Sequence, residues 1–150
     1  MAKGSPGKGC VFCSIVRGET AAATVHEDEL TLVFLDHRPL LPGHCLVVPK
    51  LHAPTLAELP EGLVAPLFGT VQLLARAVEE AMEADGSFTA INIKISQSVP
   101  HLHVHVVPRW KGDGLFSPKL VWKRTPYESD AARAAVQAKI RGALERLGGP

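Results

Sequence analysis

Histidine alternates with aliphatic residues in the segment HLHVHVV, residues 101–107, which lies between Pro100 and Pro108. Because the side chains of a strand alternate between its two faces, His101, His103 and His105 are expected on the same face. The aliphatic residues between them then point to the opposite face, where a core can cover them. Three titratable rings in a row are more typical of a functional site than of packing, so this segment constrains both fold and chemistry.

The chain has 150 residues and a net charge of +1, which suits one domain with a hydrophobic core. This charge gives no broad electrostatic surface for duplex nucleic acid, and no apolar run has the length of a membrane span. The first nine residues lack the apolar centre of a signal peptide. We expect a disordered tail over 1–9 and a single cytoplasmic domain over 10–150, with 111–150 as its C-terminal extension.

Hydrophobic patterns predict short strands in neighbouring pairs and few helices. A short helix is expected at 12–17, a long helix after Pro60 ending at Asp85-Gly86, and a final helix capped by Ser129. The apolar stripe of the final helix comprises Val136, Ile140, Leu144 and Leu147. Strands are expected at 24–27, 30–36, 44–48, 87–95 and 101–107. This order favours an α+β fold with a mostly antiparallel five-stranded sheet.

The strand expected at 87–95 carries a second alternating pattern. Ile91, Ile93 and Ile95 would share one face, whereas Asn92 would lie on the other face, together with Ala90 and Lys94. Asn92 would therefore oppose the isoleucines in the same way that the histidines oppose Leu102 and Val104.

Three chemistries are open to the histidine strand. Imidazole can bind a metal, act as a nucleophile and proton carrier near neutral pH, or form a structural polar stripe. Successive rings on one extended strand diverge, which disfavours a single metal ion bound by all three. The nearby polar residues are donors rather than carboxylates, which suits an anionic substrate such as a phosphate. These donors are Ser98, Gln97, Asn92 and His44.

The run from Ser96 to Arg109, SQSVPHLHVHVVPR, resembles the signature of the histidine triad (HIT) superfamily of nucleotide hydrolases and transferases. The block from Asp36 to His52 and the opening CVFCSIVRGE, residues 10–19, resemble two further segments of that family. The resemblance covers about residues 10–110 and implies a HIT-like fold with one long helix, a short N-terminal helix and a C-terminal helix.

The resemblance assigns a role to each matching position. It implies that His103 attacks the α-phosphorus of a nucleotide, that His105 binds the phosphate oxygens, and that His101 and His44 support them. It implies phosphate or leaving-group contacts for Asn92, Gln97 and Ser98, ribose contacts for Asp36, and a base pocket lined by Phe12, Ile15 and Phe34. From the sequence alone, Asp36 could instead be a turn residue, and the three apolar residues would more often belong to the core than to a pocket.

At one position the chain departs from the family pattern. The residue before Gln97 is usually glycine in the family and is Ser96 here. A less flexible backbone would alter the phosphate contacts of this loop, which affects Asn92 more than His103.

Cys10 and Cys13 form a Cys-x-x-Cys pair. Taken alone the pair could be redox-active, or two reduced cysteines in a loop, whereas zinc would need two more ligands, for which His52 and His101 are candidates. Some HIT proteins bind structural zinc through such a set, and all four positions are filled here. The resemblance therefore implies a structural Zn²⁺ ion that takes no part in the chemistry.

The resemblance implies cleavage beside the α-phosphorus of a purine nucleoside phosphoramidate or a dinucleoside polyphosphate, and a homodimeric protein. Three alternatives stay open at this point. They are a phosphorylase or transferase of the same family, a nucleotide-binding regulatory module with little turnover, and a metal-binding protein using all three histidines.

Overall fold

A five-stranded antiparallel sheet forms the centre of the computed structural model, which describes residues 7–118 and 123–148. The strands are β1 (Thr24–Glu27), β2 (Thr31–Leu35), β3 (Cys45–Pro49), β4 (Gly86–Ala90) and β5 (Val104–Arg109). Their spatial order is β1-β2-β3-β5-β4, and every neighbouring pair is antiparallel. The helices are α1 (Val11–Val16), α2 (Val64–Ala81) and α3 (Asp130–Gly148), and two 3₁₀ turns, Leu56–Glu58 and Glu61–Leu63, precede α2. The predicted α+β class and strand count are confirmed.

The tail predicted over 1–9 falls largely on residues 1–6, which lie outside the described residues. Residues 7–9 form a turn in which the backbone amide of Cys10 donates to the Gly7 carbonyl oxygen at 3.0 Å. No helix in the described part of the chain is long and apolar enough to cross a membrane.

The two long helices cover one face of the sheet. The stripe of α2 buries Leu67, Val71, Leu74 and Val78, while Pro66 lies in the first turn, where its missing N–H removes no helical hydrogen bond. Ser129 caps α3 as predicted, its hydroxyl accepting from the Ala132 amide at 3.0 Å. The core contribution predicted for Leu147 is wrong: this side chain is 38% exposed because the last turn of α3 extends past the core.

Aliphatic residues alternate with the histidines along β5 and the residues before it, so the histidines lie on the face opposite this core. Leu102, Val104 and Val106 are fully buried among the residues of α2 and α3. On the other face, α1 and a smaller apolar cluster including Phe12 and Phe34 lie beside the histidines. The predicted start of the strand at His101 is wrong, since pairing begins only at Val104. The alternation of faces nevertheless continues upstream, because Leu102 packs in the main core while the His101 ring contacts Phe12 on the other face.

The strand predicted at 87–95 is shorter than expected. It ends at Ala90, which pairs with His105, and no later residue of this segment pairs with β5. Lys94 and Ser96 then adopt left-handed backbone conformations with φ of 65° and 60°, which interrupts any further alternation. The predicted shared face of the isoleucines is therefore wrong, and Ile95 is 84% exposed.

Gly43 turns the chain into β3 immediately before His44. Its φ is 92°, and a Cβ atom there would lie 2.8 Å from Pro108 Cγ and 3.0 Å from Met82 Cγ. Both the backbone conformation and the close packing therefore require glycine.

Replacing Gly43→Ala should lower the free energy of unfolding by about 1–3 kcal/mol, because a left-handed non-glycine residue must be accommodated in a packed site. Urea denaturation measures the change. Gly62→Ala is the matched control, since its φ is not positive and no atom lies within 4 Å of a Cβ there. Equal midpoints for the two variants would contradict this account of the turn.

Candidate active site

His103 directs one ring nitrogen into a cleft and anchors the other on the backbone. Its Nδ1 lies 2.8 Å from the carbonyl oxygen of His101. A carbonyl only accepts, so Nδ1 carries the proton and donates, which leaves the lone pair of a neutral ring on Nε2. The Phe12 ring packs edge-on against His103 with centroids 5.1 Å apart, which restricts rotation of the imidazole.

His105 is oriented by a chain of hydrogen bonds that begins at a backbone amide. The Leu40 N–H donates to Nδ1 of His44 at 3.0 Å, and Nε2 of His44 lies 2.9 Å from Nδ1 of His105. Since Nδ1 of a neutral His44 is an acceptor, its Nε2 carries the proton and donates to His105. His105 must then carry its own proton on Nε2.

The Nε2–H of His105 is buried and has no hydrogen-bond partner among the described residues. Leaving a buried donor unpaired costs about 1–3 kcal/mol, a cost that an anionic ligand would remove. The ring centroids of His103 and His105 lie 5.0 Å apart, so the lone pair on His103 Nε2 and the N–H donor on His105 Nε2 lie side by side. The pair can therefore attack an electrophilic centre and bind the oxygen next to it.

Burial keeps these rings neutral. It lowers the pKa of His44 to about 3 and that of His105 to about 4, and it also lowers the pKa of His103. The carboxylate of Asp36 opposes these shifts but does not overcome the desolvation of the charged form. At neutral pH the nucleophilic lone pair of His103 is consequently available without prior deprotonation.

The cleft in front of the histidines has a volume of about 960 Å³. Among the residues predicted from the sequence, the cleft is lined by Phe12, Ile15, Phe34, Asp36, Ser98, His103 and His105. Phe12 and Phe34 contact each other edge-on at 5.4 Å and form an apolar wall suited to a flat ring. An apolar wall, one carboxylate and two imidazoles in a single cleft can complement the base, sugar and phosphate of a nucleotide.

Four of the residues predicted for catalysis or nucleotide binding do not line this cleft. His44 and His101 lie behind the lining histidines and are fully buried. Asn92 is half-buried beyond the end of β4. Gln97 instead ties its own loop down, since its side-chain oxygen accepts from the Lys94 amide at 2.8 Å and its NH₂ group donates to the Pro54 carbonyl at 2.6 Å.

Sequence reasoning missed the cleft residues of the C-terminal segment. Arg124, Arg133 and Gln137 all line the cleft, and Arg124 Nη1 donates to Asp36 Oδ2 at 2.8 Å. These residues lie in a region without recognised motifs, and no periodicity relates position 124 to position 36.

A second cluster lies behind the cleft, where α1 meets the start of β5. The Sγ atoms of Cys10 and Cys13 each lie 3.5 Å from His101 Nδ1. His52 Nδ1 lies 3.3 Å from the Cys13 sulfur and 3.2 Å from His101 Nδ1. Zinc bonds of about 2.3 Å to sulfur and 2.0–2.1 Å to nitrogen place the ligand atoms of a tetrahedral site roughly 3.3–3.8 Å apart. The four distances above, 3.2–3.5 Å, are close to this spacing.

The tautomer of His101 also fits a metal ligand. Its Nε2 lies 2.8 Å from the Pro49 carbonyl oxygen and must donate to it, which leaves the lone pair on Nδ1 facing the cysteines. Within the described residues, the cluster formed by Cys10, Cys13, His52 and His101 therefore has both the donor types and the spacing for a metal ion.

Residues 17–112 match the family of the HIT domain. The chain belongs to the HIT family. This superfamily comprises nucleotide-binding hydrolases, and its fold is the one described above.

Two comparisons place this HIT protein among known structures and sequences. A Zn-bound histidine triad family protein from Mycobacterium smegmatis has a TM-score of 0.79 and 41% identity, covering 93% of this chain and 95% of that one. Adenylylsulfatase HINT3 of Arabidopsis thaliana is 39% identical over 110 residues, which is 72% of this chain and 56% of that protein. The chain thus spans little more than half the length of this second relative.

A third, more distant relative carries a different substrate in its name. The asymmetrical bis(5'-nucleosyl)-tetraphosphatase of Schizosaccharomyces pombe is 34% identical over 90 residues, covering 59% of this chain and 50% of that protein. The two names therefore give two different substrates, an adenylyl sulfate in one and a bis(nucleosyl) tetraphosphate in the other.

The depressed histidine pKa values predict how stability depends on pH. In the unfolded chain these rings titrate near pH 6.5, so as the pH falls below 6.5 only the unfolded state takes up the protons and stability decreases. The loss continues down to the folded pKa values of about 3 and 4 for His44 and His105. Each ring contributes up to about 1.4 kcal/mol per pH unit.

Urea denaturation between pH 6.5 and 5, above the main range of carboxylate titration, measures the slope of the free energy of unfolding against pH. His44→Asn removes one of the two rings and should have a shallower slope than the wild-type protein. Comparing the two proteins cancels the contributions of all other groups. Identical slopes would show that His44 is not held neutral by burial.

Proposed function

We propose that this HIT protein is a nucleotide hydrolase that works through a covalent nucleotidyl-histidine. His103 Nε2 attacks the α-phosphorus of the substrate, forming a P–N bond while the bond to the leaving group breaks and the leaving group takes its electron pair. Water then attacks the same phosphorus and loses one proton to solvent, while the electron pair of the P–N bond returns to Nε2, which releases the mononucleotide and restores neutral His103. The observation that carries the proposal is the unprotonated Nε2 of His103 beside the unpaired Nε2–H of His105.

In this proposal each neighbour acts by binding or orienting. His105 Nε2–H donates to a non-bridging phosphate oxygen, where negative charge develops during transfer. His44 holds His105 in the donating tautomer. Asp36 accepts from the ribose hydroxyls, and Ser98 contacts the phosphate or the leaving group at the cleft rim.

The base and the remaining phosphate contacts complete the proposed site. The base lies in the pocket of Phe12, Ile15 and Phe34. Asn92 keeps its proposed contact with phosphate, which requires the loop after β4 to move toward the cleft. Gln97, with its amide bound to Lys94 and Pro54, fits better as a residue that shapes this loop.

The proposed substrates are purine nucleoside phosphoramidates or dinucleoside polyphosphates. The resemblance to an adenylylsulfatase and to a tetraphosphatase supports cleavage at a nucleotide α-phosphorus and leaves the leaving group open. A panel of an adenosine phosphoramidate, diadenosine tetraphosphate and adenylyl sulfate separates these possibilities. Added inorganic phosphate would yield a nucleoside diphosphate if the protein were a phosphorylase.

His103→Ala should reduce kcat on the preferred substrate by at least about 10³-fold, because it removes the nucleophile. Alkaline quenching of the wild-type reaction should trap a nucleotide on His103, because the P–N bond to histidine is stable in base and hydrolysed in acid, and mass spectrometry of the peptide detects it. His26→Ala is the control, since His26 lies on β1, where its ring pairs with Asp28, and it does not line the cleft. Turnover that survives His103→Ala would refute the nucleophile, and binding without turnover would favour a regulatory module.

We further propose that Cys10, Cys13, His52 and His101 hold a structural Zn²⁺ ion. Bound zinc would supply a cross-link between α1, the segment after β3 and the start of β5. This cross-link would fix His101, whose carbonyl oxygen orients His103. The Zn-bound relative from Mycobacterium smegmatis supports this proposal.

Cys13→Ser should lower bound zinc from about one equivalent to a small fraction and should reduce the free energy of unfolding, since structural zinc contributes directly to folding. Mass spectrometry of the purified protein measures the metal content. Cys45→Ser is the matched control, because this buried thiol contacts the Gly43 carbonyl outside the cluster. Less than about a tenth of an equivalent in the unoxidised wild-type protein would exclude the site.

The proposal includes a homodimer located in the cytoplasm, as the family resemblance implies. Exposed Ile93 and Ile95 beyond the edge strand β4 support self-association, because apolar side chains there would gain from burial. Light scattering of the purified protein tests the dimer.

A further inference from the structure

The C-terminal segment 123–127 is fastened to the loop that precedes β3. Arg124 Nη1 donates to Asp36 Oδ2 at 2.8 Å and to the Arg38 carbonyl oxygen at 2.9 Å. The Thr125 amide donates to the Pro39 carbonyl at 2.8 Å, and the Gly43 amide donates to the Tyr127 hydroxyl at 2.9 Å. These bonds make Arg124 a wall of the cleft although it is 88 residues away from Asp36 in sequence.

Asp36 is held at both oxygens. Its Oδ1 accepts from the Arg38 amide at 2.9 Å, while Oδ2 accepts from Arg124. The carboxylate is buried, with 7% of the residue exposed, and these two bonds fix the plane of the group. A carboxylate oxygen has two lone pairs, so each oxygen keeps one acceptor position.

The Arg124 guanidinium supplies hydrogen-bond donors, which the Asp36 carboxylate lacks. A carboxylate offers only acceptors and a guanidinium only donors, whereas a hydroxyl group both donates and accepts. Both N–H groups of Arg124 Nη1 are used, but its Nε and Nη2 donors have no partner within the described part of the chain. Asp36 and Arg124 thus present acceptors and donors side by side in the same cleft.

We propose that Arg124 is a specificity-determining residue which, together with Asp36, recognises the vicinal hydroxyls of a ribose. The ligand class is therefore the ribonucleotide rather than the deoxyribonucleotide. This inference rests on the proposed nucleotide function and adds to it a residue from the C-terminal extension. Each hydroxyl would donate to the carboxylate and accept from the guanidinium.

A simpler role for Arg124 would be general electrostatic attraction of an anionic nucleotide. A variant of Arg133 distinguishes this role from specific recognition of the ribose. Arg133 also lines the cleft, but it lies on α3 and its ion-pair partner is Asp130 at 3.4 Å. Arg133→Met therefore removes the same charge from the cleft without removing a bond to Asp36. It is the matched control for Arg124→Met.

Isothermal titration with AMP, 2'-deoxy-AMP and 3'-deoxy-AMP tests the proposal without requiring turnover. The wild-type protein should prefer AMP over each deoxy analogue by about tenfold or more, as expected for hydrogen bonds to charged groups. This ratio should fall below about threefold in Arg124→Met and in Arg124→Gln. In Arg133→Met all three affinities should fall by a common factor while the ratio is retained. Thermal melting identifies the variants that remain folded.

A wild-type ratio retained in folded Arg124→Met or Arg124→Gln would overturn the proposal, as would an equal loss of the ratio in Arg133→Met. Failure of this kind leaves AMP binding intact, so it is distinguishable from failure of the proposed function. If the wild-type protein bound none of the three nucleotides, the proposed function and this inference would both be overturned.

Discussion

The hydrogen bond from the Leu40 amide to His44 Nδ1 is the interaction on which the site depends. It makes one nitrogen of a neutral, buried ring an acceptor and therefore makes the other nitrogen a donor. That donor faces His105 Nδ1, and so the proton of His105 is placed on Nε2, where it can meet a ligand. A backbone amide in a loop thus decides the protonation of a side chain on β5, two steps away.

The alternation of the histidine segment gives three chemically different imidazoles on one face. His101 donates to the Pro49 carbonyl and turns its lone pair toward the cysteines. His103 donates to the His101 carbonyl and turns its lone pair toward the cleft. His105 has the tautomer opposite to that of His103 and carries its proton on Nε2, next to the cleft. Because the intervening aliphatic residues are fully buried, the sheet cannot shift by one residue without losing its core, and the three roles are fixed together.

The sequence predicted the parts of this arrangement that follow from local pattern. Alternation placed the histidines opposite Leu102, and the helical stripe located α2, because burial on one face repeats with a fixed period. The cysteine and histidine cluster was found through a resemblance, and its geometry supports it. The end of β4 was missed because pairing with β5 stops after Ala90, and the point where two strands separate is not encoded in the pattern of one segment. Arg124 was missed because a contact across 88 residues leaves no periodic signal.

Nitrogen-15 NMR of the histidine rings near pH 7 tests the central claim most directly, because the two tautomers of a neutral imidazole have distinct ring-nitrogen shifts. The account predicts protonated Nδ1 and unprotonated Nε2 for His103, and the reverse for His44 and His105. A His103 ring protonated on Nε2, or a His105 ring protonated on Nδ1, would contradict it, since the nucleophile or the phosphate donor would then be missing from the cleft.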